Sequence, residues 1–260
     1  MRDDTTMTAW HEWQESPWGR LRYTLAETNL AKHLDGLDDG PLRILDLGGG
    51  DGADTVRLAE RGHHVTIVDN APEMLAAATR RAVGADVTER VTLIEADVTE
   101  LPHDIADGRY DLVLCHNLLQ YLDDTAAALA RAVTALRPGG VLSVMAVNRH
   151  ATPLNIAVRQ ADPTAALAAL DTDRTRTVTF DTTMTLHTAE ELGEILDRLG
   201  CPVTGHYGIR TICDYITDDE RKHDPAFFAD LERLELALTG RHPYMHTARL
   251  FQLIGRKHPG

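Results

Sequence analysis

The chain has 260 residues, 43% hydrophobic and 25% charged, which suits one elaborated globular domain or two small ones. No apolar run approaches the ~20 residues of a bilayer span, and the acidic start MRDDTTMTAWHEW lacks the apolar region of a secretory signal, so neither a membrane protein nor a secreted one is expected. The net charge of −14 argues against generic polyanion binding, and three scattered cysteines without a CxxC predict no disulfide framework, no metal site and a reducing, cytoplasmic setting.

In chain order, Leu21 to Leu37 predicts an amphipathic helix, and Leu42 to Leu47 (LRILDL) a short buried strand. A glycine turn follows, then a helix from Asp54 with Val56, Leu58 and Ala59 on one side and Gly62 at its C-cap. HHVTIVD is a second strand ending at Asp69, and APEMLAAATRRAV a helix that accepts Pro72 in its first turn. VTLIEAD and YDLVLCH read as strands three and four. Asp123 to Leu136 reads as a helix stopped by RPGG, with VLSVMAVN as strand five. This alternation predicts an α/β fold with a doubly wound, mostly parallel sheet.

Alternation breaks after Asn148. PTAALAALD reads as helix and TRTVTFDTTMTLHT as strand, with Val178, Phe180, Met184 and Leu186 alternating as on a half-buried face. The pattern TAEE at Thr188 opens a helix to Leu199, with Gly200 after it. Strands near Pro202–Ile212 and at TARLFQLIGR bring the sheet to seven, and DPAFFADLERLELALTG between them is an amphipathic helix. The expected organisation is a helical lid over residues 1–38 and a cofactor-binding core over 39–148. A cap insertion over 149–187 would shape the acceptor pocket, and 188–260 would complete the sheet.

The glycine turn reads D-x-G-x-G-x-G, from Asp46 through Gly48 and Gly50 to Gly52, not the G-x-G-x-x-G of a dinucleotide site. Carboxylates at Asp46 and Asp51 would repel a pyrophosphate and suit a cationic ligand. S-adenosylmethionine carries a sulfonium and an ammonium, both cations. Asp69, 17 residues beyond Gly52, stands at a strand end where it can accept from both ribose hydroxyls. Asp97, two residues after Glu95, is placed to accept from the adenine amino group.

ILDLGGGDG, IVDNAPEML, EADV and LRPGG resemble the motifs of class I, seven-stranded S-adenosylmethionine methyltransferases. Over nearly the whole chain, SPWGRLRYTLAETNL, CHNLLQYL, LRPGGVLSVMAVN, GIRTICDY and HPYMHTARLFQLIGR resemble the bacterial tRNA methyltransferases that esterify 5-carboxymethoxyuridine. The resemblance implies that Arg22 reaches the cofactor's carboxylate and that Gly48 and Gly49 line its amino-acid end. By the same resemblance Asp69 takes its ribose, Asp97 with Val98 its adenine, and His116 closes the site; Asp46, Gly50 and Asn70 are further cofactor-binding candidates.

A carboxylate acceptor is ionised at neutral pH and needs a cation, not a base. Arg149, Arg210 and Arg249 are candidates, with Arg210 preferred from its place at a strand end. A hydroxyl or amine acceptor would instead need a base, for which His116 is the candidate, with Asn117 and Tyr121 beside it. Trp10, Trp13 and Trp18 suit a lid, a stacking face or a core anchor. Between Arg159 and Val178 stand three Arg and no Lys, and RTICDY replaces the RVFHDY expected of the tRNA enzymes. Residues 1–148 carry 24 acids against 13 bases and residues 149–260 carry 16 against 13. With so few cations for phosphates, the expected acceptor is the carboxylate of a small molecule or peptide, with tRNA as the alternative. An NAD-dependent oxidoreductase and a non-catalytic cofactor-binding module are less favoured readings.

Overall fold

Apolar runs of five to seven residues make the first four strands, and helices separate the first three. The structure, a computed structural model, describes residues 4–34, 37, 40–102, 105, 107–177 and 182–259. Helices α1 (Asp4–Glu15) and α2 (Pro17–Ala31) precede β1 (Arg43–Leu47), α3 (Val56–Glu60), β2 (His64–Asp69), α4 (Pro72–Gly84) and β3 (Val91–Glu95). Then come β4 (Tyr110–His116), α5 (Thr125–Ala135), β5 (Leu136–Val147) and α6 (Ala151–Asn155), which runs on as a π-helical turn, Ile156–Gln160. The remainder is α7 (Pro163–Ala168), β6 (Arg174–Thr177), β7 (Thr182–Thr185), α8 (Ala189–Arg198), β8 (Val203–Ile209), α9 (Pro225–Leu238) and β9 (Leu250–Arg256).

Seven strands form one sheet in the order β3-β2-β1-β4-β5-β9-β8, and β6 with β7 makes a separate antiparallel pair. The pairs β1·β2, β1·β4, β2·β3 and β4·β5 are parallel, so the expected doubly wound fold is present. Strand order reverses between β1 and β4, and ligands of such sheets bind outside the carboxyl ends of the strands at that point. Leu47, Asp69 and His116 are the last residues of β1, β2 and β4.

Two local readings need correction. The N-terminal helix starts at Pro17, not Leu21, because Ser16 Oγ accepts the Gly19 N–H at 3.1 Å and Pro17 suits a first turn. It ends at Ala31, short of Leu37. The RPGG stretch does not precede β5 but belongs to it: Leu136 pairs with Tyr110, the register then shifts, and Gly139 takes φ +76°. Glycine in the left-handed region lets the strand bulge there and continue.

The chain divides into two compact units. One, here the glycine-turn unit, comprises Leu30–Met145, Leu192–Gly205 and Leu253–Gly260. Ile44, Leu45, Ile67, Leu112, Leu114 and Leu129 are fully buried in it, each worth ~1.5–3 kcal/mol over exposure. The other, the arginine unit, comprises Met1–Asn29, Ala146–Glu191 and His206–Gln252. Leu21, Leu25, Leu186 and Phe251 are buried there, and Asn29 Nδ2 donates to Thr239 Oγ1 at 2.8 Å. The predicted capping box holds: Glu191 N donates to Thr188 Oγ1 at 3.2 Å and Thr188 N to Glu191 Oε2 at 3.0 Å. Met184 and Leu186 are buried as their alternation predicts, while Val178 and Phe180 lie outside the described residues. Among the described residues no helix is long and apolar enough to cross a membrane.

Candidate active site

In the glycine-turn unit the chain leaves β1 through Gly48, Gly50 and Gly52 at φ +66°, +55° and +71°, a left-handed path that side chains resist. Gly49 is required for a different reason: a Cβ there would lie 2.5 Å from Asp46 Oδ2. Asp46 is buried and accepts the Thr55 hydroxyl at 3.0 Å, which fixes the start of α3 against the end of β1. Asp69 ties the turn to β2, Oδ2 accepting Gly50 N and Oδ1 accepting Ala71 N, both at 2.9 Å. A carboxylate oxygen has two lone pairs, so each keeps capacity for a ligand hydroxyl. Asn70 follows it, exposed.

Asp51 differs from its expected role. Arg81 Nη2 stands 2.6 Å from Asp51 Oδ2, so this acid is already neutralised by an ion pair. Asp97, just past β3, is exposed, and its Oδ1 accepts Thr99 N at 2.8 Å and Thr99 Oγ1 at 2.7 Å. Those two bonds hold its pKa below the usual carboxylate range. Val98 beside it is buried. His116 ends β4 with Nδ1 3.3 Å from Asp54 Oδ2 and Nε2 2.8 Å from Ser143 Oγ. With both ring nitrogens engaged and the ring buried, His116 meets an acceptor's proton only by displacing Ser143 or through its hydroxyl.

Three residues of this unit escaped the sequence reading: Asp54, Ser143 and Gln120. Ser143 shares an apolar strand with nothing to distinguish it, and only the β4·β5 register, Leu114 beside Ser143, brings it near His116. Among the described residues Gln120 Oε1 and Asn117 Oδ1 are buried acceptors without a partner, and Asn117 holds φ +55°. Buried orphan acceptors at the end of β4 suit a ligand that brings donors. An adenosine with a free ammonium brings several, so the residues of this unit fit S-adenosylmethionine.

Arg22 and Arg210 lie in the arginine unit. Arg22 is buried on α2, its guanidinium 4.4 Å from the Tyr23 ring centre. Arg210 follows β8 at φ +61°, its guanidinium 5.9 Å from the Trp13 ring centre. Its Nη2 donates to Asp214 Oδ1 at 3.0 Å and its Nε lies 2.9 Å from Asp214 Oδ2, while Nη1 is buried with no hydrogen-bond partner among the described residues. Glu235, on α9, accepts the backbone N–H groups of Thr211, Ile212 and Cys213 at 2.7, 2.9 and 2.7 Å. Of the other tryptophans, Trp10 stacks on Trp13 at 5.1 Å, and Trp18 lies against Lys222. Arg149 is committed to Glu191 at 2.6 Å.

Residues 44–140 match the family model described as a methyltransferase domain. The chain carries a methyltransferase domain. This methyltransferase is 27% identical over 240 residues to the tRNA 5-carboxymethoxyuridine methyltransferase of Escherichia coli (strain K12), covering 92% of this chain and 89% of that one. It is 34% identical over 118 residues to the ubiquinone biosynthesis O-methyltransferase of Xylella fastidiosa (strain 9a5c), covering 45% and 46% of the two chains. Its fold is similar to the magnesium protoporphyrin IX methyltransferase of Synechocystis PCC 6803 with bound S-adenosylhomocysteine. There the TM-score is 0.63 at 13% identity, over 98% of this chain and 95% of that one. The protein is an S-adenosylmethionine-dependent methyltransferase, a reading its named relatives favour over the oxidoreductase one.

Proposed function

We propose that this methyltransferase esterifies a carboxylate on a small-molecule or peptide acceptor, with Arg210 as the group that holds it. When bound, S-adenosylmethionine supplies a methyl group activated by its sulfonium. Asp69 and Asn70 would hold the ribose, Asp97 and Val98 the adenine, and Gly48, Gly49 and Gly50 with Asp46 the amino-acid end. Arg22 would meet the cofactor's carboxylate. The observation that carries the acceptor reading is Arg210 itself: a guanidinium 7% exposed whose Nη1 has no partner among the described residues. A buried donor without an acceptor is costly by ~1–3 kcal/mol, which an incoming carboxylate would offset. A hydroxyl acceptor fits less well, because it needs a base and His116 is engaged by Asp54 and Ser143.

Several cations of the second half are already engaged by acids. Arg159 pairs with Asp219 through two bonds of 3.1 and 2.5 Å, Lys222 meets the same acid at 2.7 Å, and Arg149 meets Glu191. A protein that grips several phosphates needs such cations free. The reading with tRNA as acceptor is nonetheless supported by likeness to the Escherichia coli enzyme over nine-tenths of both chains. Purified protein, methyl-labelled cofactor and the small-molecule, peptide and tRNA fractions of a cell extract decide between them. Label that alkali releases as methanol, in the small-molecule or peptide fraction, is the expected result. Alkali-labile label confined to tRNA establishes the second reading, and alkali-stable label overturns both.

A further inference from the structure

We propose that the acceptor site contains a second guanidinium, Arg249, and that Arg210, Arg249 and Asp214 together select an acceptor with one negative charge. The inference rests on the carboxylate reading above and deepens it. Arg249 sits beside Arg210 because its backbone N–H donates to the Arg210 carbonyl at 3.1 Å. Its side chain makes no hydrogen bond or ion pair among the described residues, although Asp214, Arg210 and Tyr215 all lie close enough to act on its charge. Burial pushes its pKa down.

The neighbouring groups leave one positive charge unbalanced. Arg210, Arg249, Arg159 and Lys222 supply four, and Asp214, Asp219 and Glu235 remove three, with Asp219 shared by Arg159 and Lys222. Glu235 is turned away onto three backbone N–H groups, and Lys222 is committed to Asp219. Tyr215 donates to Thr247 O at 2.5 Å, and burial pushes its pKa up to about 12, so it stays neutral. A buried hydroxyl, Thr211 Oγ1, also lacks a partner among the described residues. A monocarboxylate fills this arrangement, accepting from Arg210 Nη1 and from Arg249. A dianion overfills it, and an ester no longer pairs with either guanidinium. Methylation therefore removes the charge by which the acceptor was held, and the product leaves.

The test uses the full chain with 15N-labelled arginine, saturated with S-adenosylhomocysteine, titrated with propionate, methyl propionate and inorganic phosphate. The Nε–H resonances, assigned with Arg210→Lys and Arg249→Lys, are read by NMR. Propionate is expected to shift both arginines, methyl propionate neither, and Arg249→Gln to weaken propionate binding at least tenfold with an unchanged melting curve. A shift of Arg210 alone, or propionate binding unaffected by both Arg249→Gln and Arg249→Lys, removes Arg249 and leaves the carboxylate reading standing. Phosphate binding as tightly as propionate overturns the single-charge selectivity. If both arginines respond to propionate while label on cell acceptors is alkali-stable, the two-arginine anion site stands and the esterification reading fails.

Discussion

Two turns in this protein are built on the same plan and differ in one residue type. In each, a carboxylate from another element accepts backbone N–H from the turn, one group in the first and three consecutive groups in the second. Asp69 takes Gly50, with Ala71 outside the turn, and Glu235 takes Thr211, Ile212 and Cys213. The first turn meets its left-handed positions with glycines, at no steric cost and with no side chains in the way. The second places Arg210 at φ +61°, where a β-carbon costs ~1–2 kcal/mol. A turn that a ligand must approach through its backbone has discarded its side chains. A side chain retained at such a φ supports the proposal that the Arg210 guanidinium is used there.

The largest effect is expected where the glycine turn is tightest. In Gly49→Val the new Cβ falls 2.5 Å from Asp46 Oδ2 and 2.9 Å from Ile67 Cγ2, so both stability and S-adenosylhomocysteine binding should be lost, by thermal melting and calorimetry. A stable variant that binds normally would show that the turn is not the tight cradle described. Next in size is Glu235→Gln, which sets an amide donor against backbone N–H groups and should lower stability by ~2 kcal/mol. Burial raises the Glu235 pKa. If the carboxyl were already protonated at neutral pH, the substitution would be nearly silent.

Gly50→Ala should be milder. The added Cβ meets only Met74 Cε at 3.3 Å, leaving the left-handed φ to cost ~1 kcal/mol of stability. A much larger drop in cofactor affinity than in stability would place the ligand against this residue. The smallest effect concerns pH. Burial, then His246, pushes His206 down to about 4 from 6.5, with Glu190 opposing and His242 adding to the shift. The unfolded chain then binds the extra proton between those values, so His206 contributes stability above 6.5 that is lost as pH falls toward 4. His206→Gln should flatten this part of a pH–melting profile, and an unchanged slope would assign it to other groups.

The sequence made the first turn legible and the second only in part, for a physical reason. Strands β1 to β4 and the glycine path are encoded within contiguous stretches, so periodicity, glycine spacing and strand-end acids locate Asp46 and Asp69 together. Even there, pairing hid one fact: Asp51 is spent on Arg81, 30 residues away. His116 looked like an available base because Asp54 and Ser143 reach it from other elements. Around Arg210 nearly everything is non-local. Trp13, Glu235 and Arg249 converge from separate parts of the chain, and no local pattern announces that Glu235 is buried. RPGG misled because a breaker dipeptide signals a stop and a bulge alike.

The division of labour between the two turns is tested most directly by Arg210→Lys, which keeps the charge and removes the fork. S-adenosylhomocysteine affinity and kcat/KM for the methyl acceptor are measured on the same preparation. The expected result is an unchanged Kd for S-adenosylhomocysteine with a loss of about tenfold or more in kcat/KM, the equivalent of ~1.4 kcal/mol. Equal losses in cofactor binding and turnover, or full activity with lysine at this position, would contradict the assignment of Arg210 to the acceptor.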